Sequence, residues 1–192
     1  MTSFEPDRML LMLAEHGVDF VVIGGIAAIA YGSQQMTFDL DILYQESREN
    51  RERLAGALGA LDAKVWMSID ATPMEARRLR PWQMAARDAA CRVDADLLGR
   101  WSNHHFVTPI GVLDCMVTVP GAPSYVDALQ RAMETSLEEH ARIYIVDLDD
   151  LIAMKRAVGR PKDLLAVEEL LEIRKLLESQ GGQKHEGSDD RQ

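Results

Sequence analysis

Residues 21–43, VVIGGIAAIAYGSQQMTFDLDIL, decide the fold that the sequence predicts. An apolar strand ends at the glycine pair Gly24-Gly25, and a short helix, a polar loop and a second strand follow. Side chains alternate along a strand, so residues two apart share one face. Asp39 and Asp41 are therefore predicted to point the same way from the second strand. The opposite face of that strand is predicted to be apolar, with Phe38, Leu40 and Ile42.

The paired carboxylates indicate a metal site. Two like charges this close repel each other unless a cation lies between them. A hard divalent ion with oxygen ligands, Mg²⁺, meets that need. Upstream, Gly24 and Gly25 allow the backbone to approach a phosphate, and the helix that follows offers free N–H groups. A phosphate cradle beside a metal-binding carboxylate pair indicates phosphoryl or nucleotidyl transfer.

These motifs resemble those of a known superfamily. The order Gly24-Gly25, helix, Gly32-Ser33, Thr37, Asp39-x-Asp41 resembles the nucleotidyltransferases that include DNA polymerase beta. It is most similar to a small bacterial branch related to minimal nucleotidyltransferases and abortive-infection toxins. Residues 111–114, GVLD, resemble the strand that carries the third carboxylate of the superfamily, and residues 150–155 and 159–163 resemble the C-terminal helical signature of the branch. The resemblance runs from about Val18 to about Leu171.

The resemblance implies a set of site residues. The catalytic metal ligands would be Asp39, Asp41 and Asp114, with Asp114 also acting as general base toward the acceptor. They would hold two magnesium ions, with manganese as the alternative. The nucleotide-binding residues would be Gly24, Gly25, Ser33, Thr37, Lys155 and Lys162. Relatives carry an Arg near position 35, where this chain has Gln35, so one phosphate-facing cation is missing.

Several of these residues have a second interpretation. Asp94 and Asp96 also lie two residues apart and compete for the role of third metal ligand. His104 and His105 have no second ligand at metal spacing and are predicted to be surface residues in a loop. Capping of helices and turns is the alternative role for the two hydroxyl residues Ser33 and Thr37. Arg160 and Lys162 could instead complement the end of a helix.

Charge and composition narrow the range of partners. The chain has 192 residues, 47% of them hydrophobic, which predicts a real core. Its net charge of −10 argues against extensive nucleic-acid binding. A basic cluster between residues 77 and 92 is either a local groove for an anion or a solvated helix face; it comprises Arg77, Arg78, Arg80, Arg87 and Arg92.

The cysteines and the apolar runs predict a reduced, cytoplasmic protein. Cys91 and Cys115 lie far apart without metal-binding spacing, so neither a disulfide framework nor a zinc site is expected. Cys115 is predicted to face the core. The run from Val18 to Tyr31 is too short to cross a bilayer, and no signal peptide is recognisable.

The predicted fold class is α/β (α+β): a polymerase-beta-like core sheet flanked by helices, with a C-terminal helical extension. Residues 1–146 would form the nucleotidyltransferase core, and 147–180 the extension packed on it. The last helix is predicted to start near Asp163 and to end near Glu178, and residues 181–192 to form a disordered tail. Arg92–Leu98 is predicted as a strand.

The leading hypothesis is a magnesium-dependent nucleotidyltransferase. It would move a nucleoside monophosphate from a nucleoside triphosphate to a hydroxyl group of an unidentified acceptor: an RNA end, a protein or a small molecule. Two alternatives remain open at this point. One is a catalytically weak relative that binds a partner protein, as an antitoxin would, and the other is a nucleotide sensor. The missing Arg at Gln35 and the acidic composition motivate the first of these.

Overall fold

A computed structural model describes residues 4–65, 93–137 and 141–183, with residues 180–183 described as backbone only. Its helices are α1 (Pro6–Glu15), α2 (Gly24–Ala30), α3 (Arg48–Ala60), α4 (Ala95–Leu98), α5 (Tyr125–Arg131), α6 (Leu148–Val158) and α7 (Pro161–Gln183). Its strands are β1 (Phe20–Ile23), β2 (Asp39–Tyr44), β3 (Lys64–Val65), β4 (Asn103–Thr108), β5 (Gly111–Met116), β6 (Met133–Leu137) and β7 (Ala141–Ile145).

The strands of the described residues form one mixed sheet with the order β3-β4-β5-β2-β1-β7-β6. Strand β2 lies in the centre, antiparallel to β1 and parallel to β5. β4 is antiparallel to β5, and β7 is parallel to β1. The sheet is flanked by helices, so the predicted α/β class is confirmed.

The core lies where the apolar faces of the sheet meet the helices. All four residues of β1 are buried, as expected for a strand covered on both faces. α1 packs against β7 and α3, while α2 packs against β1, β2 and α6. The two C-terminal helices pack on each other and add Leu151, Val167 and Leu170 to the same hydrophobic cluster. No helix within the described ranges is long and apolar enough to cross a membrane.

Some local predictions hold and others do not. Cys115 is fully buried, as predicted, and so are Leu40 and Ile42. Phe38 is 49% exposed, contrary to the prediction, because β2 begins only at the next residue and the strand alternation does not yet apply.

Two further predictions concern helix boundaries. The region predicted as a strand up to Leu98 contains helix α4 instead, because Asp94 accepts a hydrogen bond from the Leu97 N–H and starts a helical turn. The last helix continues to Gln183, beyond the predicted end. The basic cluster at 77–92 and residues 184–192 lie outside the described residues.

Candidate active site

The central feature of the candidate site is the register between β2 and β5. Because these strands are parallel, Asp41 lies directly beside Asp114, and Asp39 lies beside Val112. Neighbouring strands are about 4.8 Å apart, so carboxylates at paired positions on one face are close neighbours. The structure therefore brings together the three carboxylates that the sequence selected: Asp39, Asp41 and Asp114.

The competing candidates for the third carboxylate lie elsewhere. The Asp94 side chain caps α4, accepting from the Leu97 N–H at 2.8 Å. Asp96 is 74% exposed and faces Arg48, with 3.6 Å between Oδ1 and Nη1. Neither residue is on a strand next to β2.

Crowding of negative charge is strongest at Asp41. Its pKa is raised from 3.8 to about 7 by burial and by the neighbouring charges of Asp114 and Asp39. A hydrogen bond from the Gly25 N–H and the charge of Lys155 partly oppose this rise. A cation placed among these three side chains would therefore favour the ionised form of Asp41.

The glycine pair is required by close packing against these side chains. Gly24 has φ +68°, and a Cβ there would lie 1.9 Å from Asp41 Oδ2. A Cβ on Gly25 would lie 2.5 Å from the Thr37 hydroxyl oxygen. Thr37 in turn donates a short hydrogen bond to Asp39 Oδ1. The start of α2, the loop before β2 and the carboxylates are therefore packed as one unit.

His105 is a residue of this site that the sequence analysis missed. It lies opposite Asp114 in the antiparallel pair of β4 and β5, and its Nδ1–H donates to Asp114 Oδ1 at 2.8 Å. This hydrogen bond raises the pKa of His105, against the opposing effect of burial. The Asp114 side chain is 15% exposed and the His105 side chain 55%, so the pair lies at the solvent edge of the site.

The predicted loop is wrong for both histidines, and the predicted surface position is wrong for His104 but holds for His105. Both belong to β4, where alternation sends them to opposite faces. His104 is only 4% exposed, its Nε2–H donates to the Leu98 carbonyl at 3.1 Å, and burial lowers its pKa. The alternation of His105, Val107 and their buried neighbours was a signal that could have revealed the strand.

Positively charged side chains near the junction between α6 and α7 interact electrostatically with the site. Lys155 on α6 is partly buried; burial lowers its pKa, and the charges of Asp163 and Asp41 oppose this effect. Arg160 bonds to Asp163 with 2.5 Å between Nε and Oδ2. That bond raises the pKa of Arg160, and the charges of Asp41 and Asp39 add to the rise.

Asp163 bonds to Arg160 and interacts electrostatically with the two nearby lysines. It is 4% exposed, and although burial alone would raise its pKa, Arg160, Lys155 and Lys162 lower it. Lys162 itself is exposed. Arg160 and Asp163 were absent from the predicted site residues, although both stand in the C-terminal signature that carries the resemblance.

Ser33 makes a contact that the sequence analysis did not predict. Instead of being free to meet a triphosphate, its hydroxyl donates to Glu169 Oε2 at 2.7 Å, and Ser33 is 6% exposed. This contact could not be expected from the sequence, because Glu169 lies 136 residues further along the chain. Gln35 is exposed in the same loop.

The donor chemistry of the site suits magnesium. Three carboxylates on adjacent strands are the hard oxygen ligands that this ion prefers. The negative charges that raise the pKa of Asp41 are charges that a cation would neutralise. Within the described residues, no group of three or more His, Cys, Asp and Glu side chains is already gathered tightly enough to hold a metal ion.

Comparison with known proteins finds likenesses among solved structures and none among family models or curated proteins. A solved structure of the antibiotic-resistance factor ANT(2'')-Ia is similar over 93% of this chain and 92% of that chain, with 14% sequence identity and a TM-score of 0.49. At this level the likeness carries no inference about activity.

Proposed function

We propose that this chain is a magnesium-dependent nucleotidyltransferase that moves a nucleoside monophosphate from a nucleoside triphosphate to a hydroxyl group. The observation that carries the proposal is the register of β2 and β5, which pairs Asp41 with Asp114 while Asp39 shares their face. These three side chains would hold the magnesium ions, which when bound supply positive charge for the phosphates and lower the pKa of the acceptor hydroxyl.

The triphosphate would lie between the carboxylates and the α6–α7 junction. Lys155 and Arg160 are electrostatically coupled to Asp41, so they lie within range of an anion bound at the carboxylates. Positive groups held in place by a buried partner stabilise developing phosphate charge without reorganising. Asp163 is that partner for Arg160. Lys162 adds a solvent-facing cation at the entrance.

The acceptor would approach from the β4 side. Asp114 Oδ1 is occupied by His105, which leaves Oδ2 for the acceptor proton. As the acceptor oxygen bonds to the α-phosphorus, the bond to pyrophosphate breaks and the proton moves to Asp114. His105 holds the carboxylate in the orientation that this transfer needs. It is thus a positioning residue in the proposed reaction.

Calorimetric titration with ATP, GTP, CTP and UTP, each with and without magnesium, tests the proposal. We expect at least one triphosphate to bind only in the presence of the metal. The double variant Asp39→Asn, Asp41→Asn should abolish that binding while keeping the fold. Asp96→Asn, on an exposed carboxylate of α4, is the matched control and should bind like the parent.

Transfer itself is tested by incubating the protein and a cell lysate with each α-³²P-labelled triphosphate. Label should pass to an acceptor with the parent and not with Asp114→Asn. Metal-dependent binding without transfer to any lysate component would favour the nucleotide sensor. Absence of binding by all four triphosphates would refute the proposed function and favour a partner-binding protein.

A further inference from the structure

Glu169 joins the C-terminal helix to the loop that leads into the carboxylate strand. Its Oε2 accepts from the Ser33 hydroxyl at 2.7 Å, and its Oε1 accepts from the Gln34 N–H at 2.7 Å. These two hydrogen bonds, with a smaller effect of the Gln35 side chain, lower the pKa of Glu169. The Gln35 N–H bonds back to the Ser33 oxygen at 3.2 Å. One carboxylate thus accepts hydrogen bonds from two consecutive residues of the loop, and Ser33 passes the connection on to Gln35.

The two segments that Glu169 connects carry opposite parts of the site. Four residues after Ser33, Thr37 contacts Gly25 and donates to Asp39, so the loop ends on the carboxylates. α7 begins at the turn that holds Arg160 against Asp163. Glu169 lies two turns further along this helix, next to the fully buried Leu170.

Charge-assisted hydrogen bonds are about twice as strong as neutral ones, and a carboxylate that accepts from several donors fixes their geometry. Val167 and Leu170 fix α7 in the hydrophobic core, so the position of the loop depends on the helix and not the helix on the loop. Loss of the carboxylate would leave the Gln34 N–H and the buried Ser33 hydroxyl without this acceptor. The loop would then be free to move away from Asp39 together with Thr37.

We infer that Glu169 is a positioning residue for nucleotide binding, which holds the loop at 33–37 so that the carboxylates and the α6–α7 cations face one ligand. The inference rests on the proposed function and adds a residue that no motif marks. Among the described residues, Glu169 makes no hydrogen bond or ion pair with the three carboxylates or with the cations; its hydrogen bonds go to the loop. Its effect on the ligand is therefore carried by the loop.

The test compares Glu169→Ala with Glu168→Ala. Glu168 is adjacent and exposed, and its side chain makes no hydrogen bond or ion pair with any described residue. Titration uses magnesium and the triphosphate that the parent binds best, at a temperature where every variant is fully folded. Glu169→Ala should weaken binding and raise the dissociation constant roughly tenfold, equivalent to about 1.4 kcal/mol. Glu168→Ala should bind as tightly as the parent.

Two further variants separate positioning from general stability. Ser33→Ala should weaken binding in the same direction, and the double variant Ser33→Ala, Glu169→Ala should be no weaker than Glu169→Ala alone, because both act through one contact. Glu169→Gln keeps one acceptor oxygen and should recover part of the affinity. Amide hydrogen exchange of residues 33–38 should accelerate in Glu169→Ala.

The outcomes are distinct. If the parent binds a triphosphate and Glu169→Ala binds it equally well, the inference is overturned and the proposed function stands. Additive losses in the double variant would also overturn it, since the two side chains would then act separately. If the parent binds no triphosphate, the proposed function fails and the inference fails with it.

Discussion

Replacement of Asp41 by Asn should stabilise the metal-free protein above neutral pH. The Asp41 pKa is about 7 in the folded chain, against the ordinary value of 3.8. Between these two values the folded chain keeps a proton that the unfolded chain has released. The free energy of unfolding therefore falls as the pH rises through this window and stays low above it. Asn cannot ionise and removes this fall.

The size of the effect follows from the two pKa values. Each pKa unit corresponds to about 1.4 kcal/mol, so ionising Asp41 in the folded state costs up to about 4 kcal/mol at pH 8. This is an upper limit, because Asp41 is partly accessible to solvent. The Asn side chain can still accept from the Gly25 N–H, so the variant keeps the hydrogen bond that Asp41 makes.

Urea unfolding in EDTA, followed by circular dichroism from pH 4.5 to pH 8.5, measures the difference. The parent and Asp41→Asn should be similar at the acidic end, and the variant should be more stable by 2–4 kcal/mol, roughly, at the alkaline end. Asp96→Asn should parallel the parent throughout. Magnesium with a triphosphate should stabilise the parent and not Asp41→Asn. Parallel pH curves for the parent and Asp41→Asn would refute the charge crowding inferred at this site.

Three other predictions concern the proposed reaction. His105→Ala should lower transfer by about 10- to 100-fold while triphosphate affinity stays within a few-fold, as measured by label transfer and calorimetry, because it orients Asp114 without binding the nucleotide; an equal loss of affinity would contradict this. Lys155→Met should weaken triphosphate binding and flatten its dependence on salt, and an unchanged salt dependence would remove Lys155 from the phosphate site. Gln35→Arg should tighten binding roughly tenfold, with a steeper salt dependence, because the bond to phosphate becomes charge-assisted. Affinity equal to the parent at every ionic strength would show that position 35 does not face the phosphates.

Short-range patterns were enough to predict the carboxylates. Alternation places Asp39 and Asp41 on one face of a strand from five residues of sequence, and the same rule orients Asp114 away from the buried Cys115. The pairing of Asp41 with Asp114 depends on sheet order, which alternation does not contain. The choice of Asp114 as the third carboxylate came from the resemblance, and the register of β2 and β5 places it beside Asp41.

The missed contacts join residues that are distant in sequence or hidden by local ambiguity. Ser33 is a residue type that can bind phosphate through its hydroxyl. Nothing near it in sequence reveals that this hydroxyl donates a hydrogen bond to Glu169. His105 was assigned to a loop because two adjacent polar histidines mask the alternation of a strand. Arg160 was given only a possible role at a helix end, and its bond to the buried Asp163 was not predicted.

The central position of β2 has a consequence for the order of folding. As the chain is synthesised, β1, α2 and β2 emerge together and can pair with few intervening residues. The opposite edge of β2 stays open until β5 arrives, about 70 residues later by the pairing of Asp41 with Asp114. The repulsion between Asp41 and Asp114 is therefore absent while β1, α2 and β2 pair, and it opposes only the docking of β5. A cation that is present during synthesis would assist this late step, so the metal would act first on assembly of the sheet.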